Sequence, residues 1–208
     1  KNMYIPNYSL VEDPALIKKV IMDHGFGTLV ANSDEEIEAN HYPFLLKEVG
    51  EGFKLYTHLA LGNNQWKRIH EKPCLIIFTG PHAYISPTYY KQQLNVPTWN
   101  YITVHLKCQA REIKDHEFSC EVMKDFVSFF EKQNGTNWDY KLPEDFHQRL
   151  IKSIVWIEFE VLHVQAKFKL SQNRSDVDFI GVIDALSKDD TKHELVNYMK
   201  LAKTEKKL

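Results

Sequence analysis

Apolar and polar side chains alternate through much of residues 155–170. Alternation of period two places successive side chains on opposite faces of a strand, and an ordinary strand is only about five or six residues long. A strand of this length has to be shared between two parts of a sheet or bent within a barrel. Other stretches supply it with neighbours. Residues 28–31, 38–46 and 53–60 read as strands, with Val49-Gly50-Glu51-Gly52 as the turn between the last two. The apolar run Cys74-Leu75-Ile76-Ile77-Phe78 reads as a further strand that ends at Thr79-Gly80-Pro81, because proline has no N–H for a ladder. Residues 84–101, rich in proline, aromatics and amides, read as a long ordered loop, and residues 103–113 return to strand.

Helices fall between and after these strands. Asp13 before Pro14 is a helix start, and Leu16, Ile17, Val20 and Ile21 make its apolar stripe up to Gly25. Asn63 to His70 reads as a short helix. Asp115 caps a helix that carries Phe118, Val122, Phe126, Phe129 and Phe130 and closes at Asn134-Gly135, and a second helix follows Pro143. The tail from Asp178 is helical and lysine-rich at its end. Many short strands with peripheral helices predict an α+β, predominantly β fold, read as one domain over residues 1–208 with helical additions at about 116–153 and 176–208.

Charge and cysteine usage exclude several classes. With 26 basic and 28 acidic side chains the net charge is −2, so no global field draws the chain onto nucleic acid. Cys74, Cys108 and Cys120 are odd in number and widely spaced, which fits free thiols in a reducing cytosol rather than a disulfide framework or a CxxC site. The start of the chain has no apolar stretch after its charges, and no window approaches a membrane span. A cytoplasmic protein without membrane contact is the expectation. His41, His58, His82 and His105 have no HExxH or paired Cys/His spacing and read as satisfied structural histidines, so no metal site is expected. Ser86 lies in no nucleophile elbow, and no catalytic residue is assigned.

Five segments hold polar and aromatic residues that neither a helix face nor a strand period explains. They are residues 39–44, residues 57–60 with 63–66, residues 80–87, residues 96–101, and residues 167–174. Together they look like rim loops around a pocket. Lys167, Lys169 and Arg174 lie close in sequence to Ser171, Gln172 and Asn173, a density of donors suited to an anionic ligand.

Met3-Tyr4-Ile5-Pro6, Phe26-Gly27-Thr28-Leu29-Val30, Ala39-Asn40-His41-Tyr42-Pro43-Phe44, Gly80-Pro81-His82-Ala83-Tyr84-Ile85-Ser86-Pro87, Val96-Pro97-Thr98-Trp99-Asn100-Tyr101 and Lys169-Leu170-Ser171-Gln172-Asn173-Arg174 follow one another in this order. In this the chain resembles the PaiB-like family of FMN-binding proteins named as negative transcriptional regulators, nearly throughout to about residue 186. The resemblance implies a split β-barrel related to pyridoxamine-phosphate oxidases, with FMN held near the two-fold interface of a homodimer. It implies that Thr57, His58 and Leu59 line the isoalloxazine, with Asn64, Trp66 and Lys67 near the phosphate and His41 and Phe44 on the preceding strand. Trp99, Asn100 and Tyr101 would close the pocket, and Lys169, Gln172 and Arg174 would reach it from the partner chain. The family often shows Gly-His-Leu-Ala-Arg-Ala-Asn-Pro-Gln-Trp, whereas residues 56–66 lack that arginine and proline, so a phosphate contact through the arginine is not available.

Three functions follow as expectations. The first is an FMN-binding regulator in which flavin occupancy or redox state changes the dimer surface offered to a regulatory protein or nucleic acid. The second is a flavin-dependent oxidoreductase acting on a small molecule, and the third is a haem-binding protein on the same scaffold. The lysine-rich residues 200–207 would suit DNA phosphates, but nothing reads as a helix-turn-helix with a basic recognition helix.

Overall fold

The computed structural model describes residues 3–33, 36–92 and 95–205. The strands are β1 (Leu10–Val11), β2 (Phe26–Ser33), β3 (Glu36–Pro43), β4 (Leu45–Val49), β5 (Gly52–Ala60), β6 (Pro73–Ile85), β7 (Thr98–Glu112) and β8 (Ile154–Lys169). The helices are α1 (Pro14–Asp23), α2 (Gln65–Ile69), α3 (His116–Gln133), α4 (Glu144–Lys152), α5 (Asp176–Leu186) and α6 (His193–Glu205). The strands form an antiparallel sheet in the order β3-β2-β6-β7-β8-β5-β4, with β1 paired to β8. This is the split-barrel α+β class with peripheral helices that the sequence predicts.

The long alternating strand is shared, as its length requires. Its first half pairs with β5 from Ile154↔Ala60 to Glu160↔Lys54, and its second half pairs with β1 at Ala166 and Lys167. The chain divides into two compact units, one of residues 1–20, 78–104 and 165–208 and the other of residues 21–77 and 105–164. Each has its own core. In the second unit α3 lays Val122, Met123 and Phe126 over Leu45, Tyr56 and Trp156, with Ile151 of α4 completing the cluster. In the first unit Phe168 of β8 meets Tyr198 of α6 edge-on at 5.7 Å, and Val182, Leu195 and Met199 are fully buried.

Local signals explain the helix ends. Asp115 accepts the N–H of Phe118 at 3.0 Å, and Asp13 accepts that of Ala15 at 2.8 Å. Gly135, at φ +66°, ends α3 in the left-handed region that glycine adopts without cost. Gly50, at φ +58°, does the same in the tight β4–β5 hairpin, where Val49 pairs with Gly52.

Three expectations differ from the structure. Residues 38–46 do not form one strand. The chain breaks at Phe44 because β3 pairs with β2 whereas β4 pairs with β5, and these neighbours stand at opposite ends of the sheet order. Thr79-Gly80-Pro81 does not end its strand, which runs on to Ile85. Pairing of β6 with β2 covers Cys74 to Ile77, so Pro81 lies past that ladder and its missing N–H breaks none of those bonds. The loop before β7 is consequently shorter than residues 84–101, since Tyr84 and Ile85 belong to β6 and Thr98 to Tyr101 belong to β7.

The shortened loop is bound to α5. Asp178 accepts the backbone N–H groups of Lys91 and Gln92 at 2.8 and 3.1 Å, and Arg174 lies over the Tyr90 ring at 4.7 Å while donating to Asn95 at 2.8 Å. Gly181 faces the Tyr89 carbonyl so closely that a Cβ there would overlap its oxygen. Gly181→Ala is therefore expected to cost about 1–3 kcal/mol of folding stability. Urea denaturation of the two proteins measures this, and equal midpoints would contradict the close approach.

Candidate functional site

The side chains singled out from sequence fall into two groups, one in each unit. His41, Phe44, Thr57, His58, Leu59, Asn64, Trp66 and Lys67 belong to one, and Trp99, Asn100, Tyr101, Lys169, Gln172 and Arg174 to the other.

Alternation along β5 separates three of the first group. Thr57 and Leu59 are buried on one face, with the Thr57 hydroxyl donating to the Pro43 carbonyl. His58 points to the other face, where its ring packs against Trp156 at 4.9 Å and Phe126 at 5.3 Å. Burial pulls its imidazole below its ordinary pKa, and its Nδ1 is buried without a hydrogen-bond partner. Phe44 is a core side chain, edge-on to Phe159 at 5.7 Å.

The exposed members of this group lie around α2 and β3. His41 stacks on the exposed Phe26 ring at 6.1 Å. Asn64 is exposed, Lys67 lies 5.3 Å from the centre of the Trp66 ring, and Trp66 donates its indole N–H to the Leu61 carbonyl at 3.2 Å. Between β3 and α2 runs a polar network centred on Gln65, which the sequence reading passed over. Its Oε1 accepts from Asn40 at 3.1 Å and from the Tyr42 hydroxyl at 2.6 Å, and Asn63 donates to that hydroxyl at 3.0 Å. These two donors fix the amide's orientation, and they leave Nε2 buried without a partner. Beside them Arg68 grips Glu38 through Nε at 3.0 Å and Nη2 at 2.6 Å.

The second group is built on the ends of β7 and β8. Lys169 donates to the Trp99 carbonyl at 2.8 Å and to the Thr98 hydroxyl. Lys167 is buried, donates to the Tyr4 carbonyl at 2.9 Å and lies 5.5 and 5.4 Å from the centres of the Tyr4 and Tyr101 rings. Burial, then the charges of Lys167 and Arg174, pull the Lys169 ammonium below its ordinary pKa. Trp99 itself is exposed, with His82 at 6.1 Å and Tyr84 at 6.0 Å beside it.

Asn100 and Gln172 have structural work in this group. Asn100, fully buried, exchanges hydrogen bonds with the Ser171 hydroxyl at 3.0 and 3.1 Å. That contact holds Ser171 at φ +65°, an uncommon conformation for a residue with a Cβ. The turn lets Gln172 fold back, its Oε1 accepting the Leu170 N–H at 2.7 Å and its amide donating to the Phe168 carbonyl. Lys167 and Lys169 at the end of β8 and Arg174 beyond it are thus joined by a fixed turn.

These donors fit a phosphate-bearing planar cofactor. Both hydrogen-bond acceptors of Lys169 are neutral oxygens, so an arriving anion would relieve the repulsion from Lys167 and Arg174, and the exposed Trp99 offers a flat aromatic face next to it. Among the described residues no group of three or more His, Cys, Asp or Glu side chains is arranged to hold a metal ion, and no helix is long and apolar enough to cross a membrane. Lys203 of the basic tail pairs with Asp176 at 2.8 Å, and Lys206 and Lys207 lie outside the described residues.

Solved structures share this fold. The flavocytochrome Anf3 from Azotobacter vinelandii superposes with a TM-score of 0.58 at 12% identity, covering 79% of this chain and 72% of that one. An FAD and haem binding protein from Mycobacterium smegmatis gives 0.59 at 11% identity, covering 77% and 73%. At these identities the likeness is one of fold. The family described as "Putative FMN-binding domain" matches residues 3–163, and the chain belongs to it. Its relative from Bacillus subtilis, protease synthase and sporulation protein PAI 2, is 34% identical over 191 residues, 90% of this chain and 91% of that protein. The PaiB-like family and the FMN cofactor expected from sequence are those that membership assigns.

The half-buried His58 gives the pH dependence a sign. As pH falls through about 6.5 the unfolded imidazole takes up a proton that the folded one resists. The unfolded state then binds more protons, so stability falls below that pH and is fully present above it. Wild type should lose more unfolding free energy than His58→Leu between about pH 7 and about pH 5.5. His105, lowered likewise by burial, is present in both proteins, so equal losses in urea titrations would contradict the assignment.

Proposed function

We propose that this protein is an FMN-binding regulator of the PaiB-like type that holds its flavin at a homodimer interface. The observation that carries this reading is the Lys169 ammonium, seated on two neutral oxygens beside Lys167, Arg174 and the exposed Trp99. In it the FMN phosphate lies on Lys169 and Arg174, with Lys167 adding charge from behind. The ring system lies against aromatic surface that the single chain leaves exposed, for which Trp99 and Tyr84, each about half exposed, are the candidates. As the family resemblance has it, His41, Thr57, His58, Leu59, Asn64, Trp66 and Lys67 come to the ring and phosphate from one chain, and Lys169 and Arg174 reach them from its partner. Thr57, His58 and Leu59 then act chiefly by shaping β5. The regulatory part of the reading comes from the family resemblance, and in it flavin occupancy alters the dimer surface presented to a partner.

A flavin-dependent oxidoreductase is the second reading, favoured by a groove of about 410 Å³ beside Trp99, lined also by His82, Tyr84, Tyr89 and Lys192. FMN supplies hydride or single-electron chemistry when bound. The groove, lined by Asp189 as well as Lys192, has room for a small organic acceptor. Turnover of a nicotinamide with an acceptor separates this reading from the first.

Riboflavin lacks the phosphate, which makes the test specific. Lys169→Ala should weaken FMN binding roughly tenfold to a hundredfold, as for loss of a charge-assisted hydrogen bond, and change riboflavin binding by less than about twofold. Quenching of flavin fluorescence reads both. Equal losses for the two ligands would assign Lys169 to the shape of β7 rather than to the phosphate.

A further inference from the structure

The helical addition formed by α3 and α4 carries a cluster of nucleophilic and titratable groups that flavin binding does not use. Cys120 of α3 has its Sγ 3.3 Å from Nε2 of His147 on α4, and Nδ1 of the same imidazole is 2.9 Å from the Tyr140 hydroxyl. His147 is only 7% exposed, so its ring is held in place between the thiol and the phenol. His116, one turn before Cys120, is exposed and stands 3.8 Å from the same sulfur. Tyr140 also lines a cleft of about 540 Å³ together with Trp138, Lys124 and Lys132. The cleft wall, the imidazole and the thiol are therefore joined by hydrogen bonds in series.

We propose that Cys120, His147 and Tyr140 form a nucleophilic thiol site for small soft electrophiles of the α,β-unsaturated carbonyl class. This site is independent of the flavin reading. The three residues repeat the logic of a nucleophile, a base and a group that orients the base. In the tautomer that suits the geometry, the Cys120 S–H donates to Nε2, and Nδ1–H donates to the Tyr140 oxygen. Attack forms a bond from Sγ to the β-carbon and breaks the C=C π bond, whose pair becomes a π bond between the α-carbon and the carbonyl carbon as the C=O π pair moves to oxygen. The thiol proton passes to Nε2 and then to the α-carbon. The sum is addition of the thiol across the double bond, with no external oxidant or reductant.

The surroundings explain why a base is needed. Burial pushes the Cys120 thiol above its ordinary pKa, Glu144 and Glu117 push it further, and Lys124 opposes them. The thiol thus rests protonated, and His147 at 3.3 Å is the group placed to take its proton on attack. Tyr140 and His116 also face this pair. The remaining cysteines serve as internal controls. Cys74 and Cys108 are buried, with the Cys74 thiol pushed up to about 12 by burial and Cys108 raised in the same direction by burial and by Cys74.

N-ethylmaleimide tests the proposal on the full chain, with the labelled cysteine identified by peptide mass and Cys120→Ser as the blank. Cys120 should label faster than free N-acetylcysteine at neutral pH, while Cys74 and Cys108 stay unlabelled. His147→Gln should slow labelling at least about tenfold, and Tyr140→Phe by a smaller factor, both with unchanged melting temperature. Should His147→Gln fail to fold, Tyr140→Phe alone decides, because it removes only the orienting hydroxyl. A folded His147→Gln or Tyr140→Phe protein that labels at the wild-type rate would overturn the proposal, and so would wild-type labelling slower than the free thiol.

Discussion

β8 exchanges partners along its own length, pairing with β5 through Ile154 to Glu160 and with β1 at Ala166 and Lys167. Everything placed near its end inherits that constraint. Ladder bonds along the strand fix where Lys167 and Lys169 emerge, and the Asn100–Ser171 contact fixes how the chain turns afterwards. Two lysines at alternate positions would ordinarily form a solvated face. Here one is buried against tyrosine rings and a carbonyl, and the other is seated on β7 oxygens, so their charges are held rather than dispersed into water. Holding like charges together costs free energy that an anion recovers, which is the physical basis for reading this end of the strand as a phosphate site.

Much of this was legible in the sequence, for identifiable reasons. The cap at Asp115, the stop at Gly135, the hairpin at Gly50 and the long alternating strand each follow from local chemistry that acts the same in any fold. Pro81 misled because the rule against proline in strands concerns its missing N–H, and only the pairing shows that β6 has by then run past the residues that bond β2. Residues 38–46 misled because an apolar-rich stretch does not reveal that its two halves bond to different neighbours.

Legibility of the candidate site was uneven in the same way. The cations Lys167, Lys169 and Arg174 lie within eight residues of one another on any count of the sequence, and a dense group of donors can be read directly. Gln65 was passed over because a glutamine on a five-residue helix looks like surface until Asn40 and Tyr42 close over it. The resemblance sets His58 beside Thr57 and Leu59 along the isoalloxazine, yet strand alternation turns it toward Trp156 and Phe126 under α3, on the face opposite those two. Cys120 and His147 are separated by 27 positions and meet only because α3 and α4 pack together.

The central claim is that the chain binds FMN through a defined site. Titrating the purified protein with FMN, and reading visible absorbance with bound and free flavin separated by dialysis, tests it most directly. Saturation at about one FMN per chain is the predicted result for the proposed dimer with two equivalent sites. Flavin that stays free at all protein concentrations, or uptake that never saturates, would contradict the account.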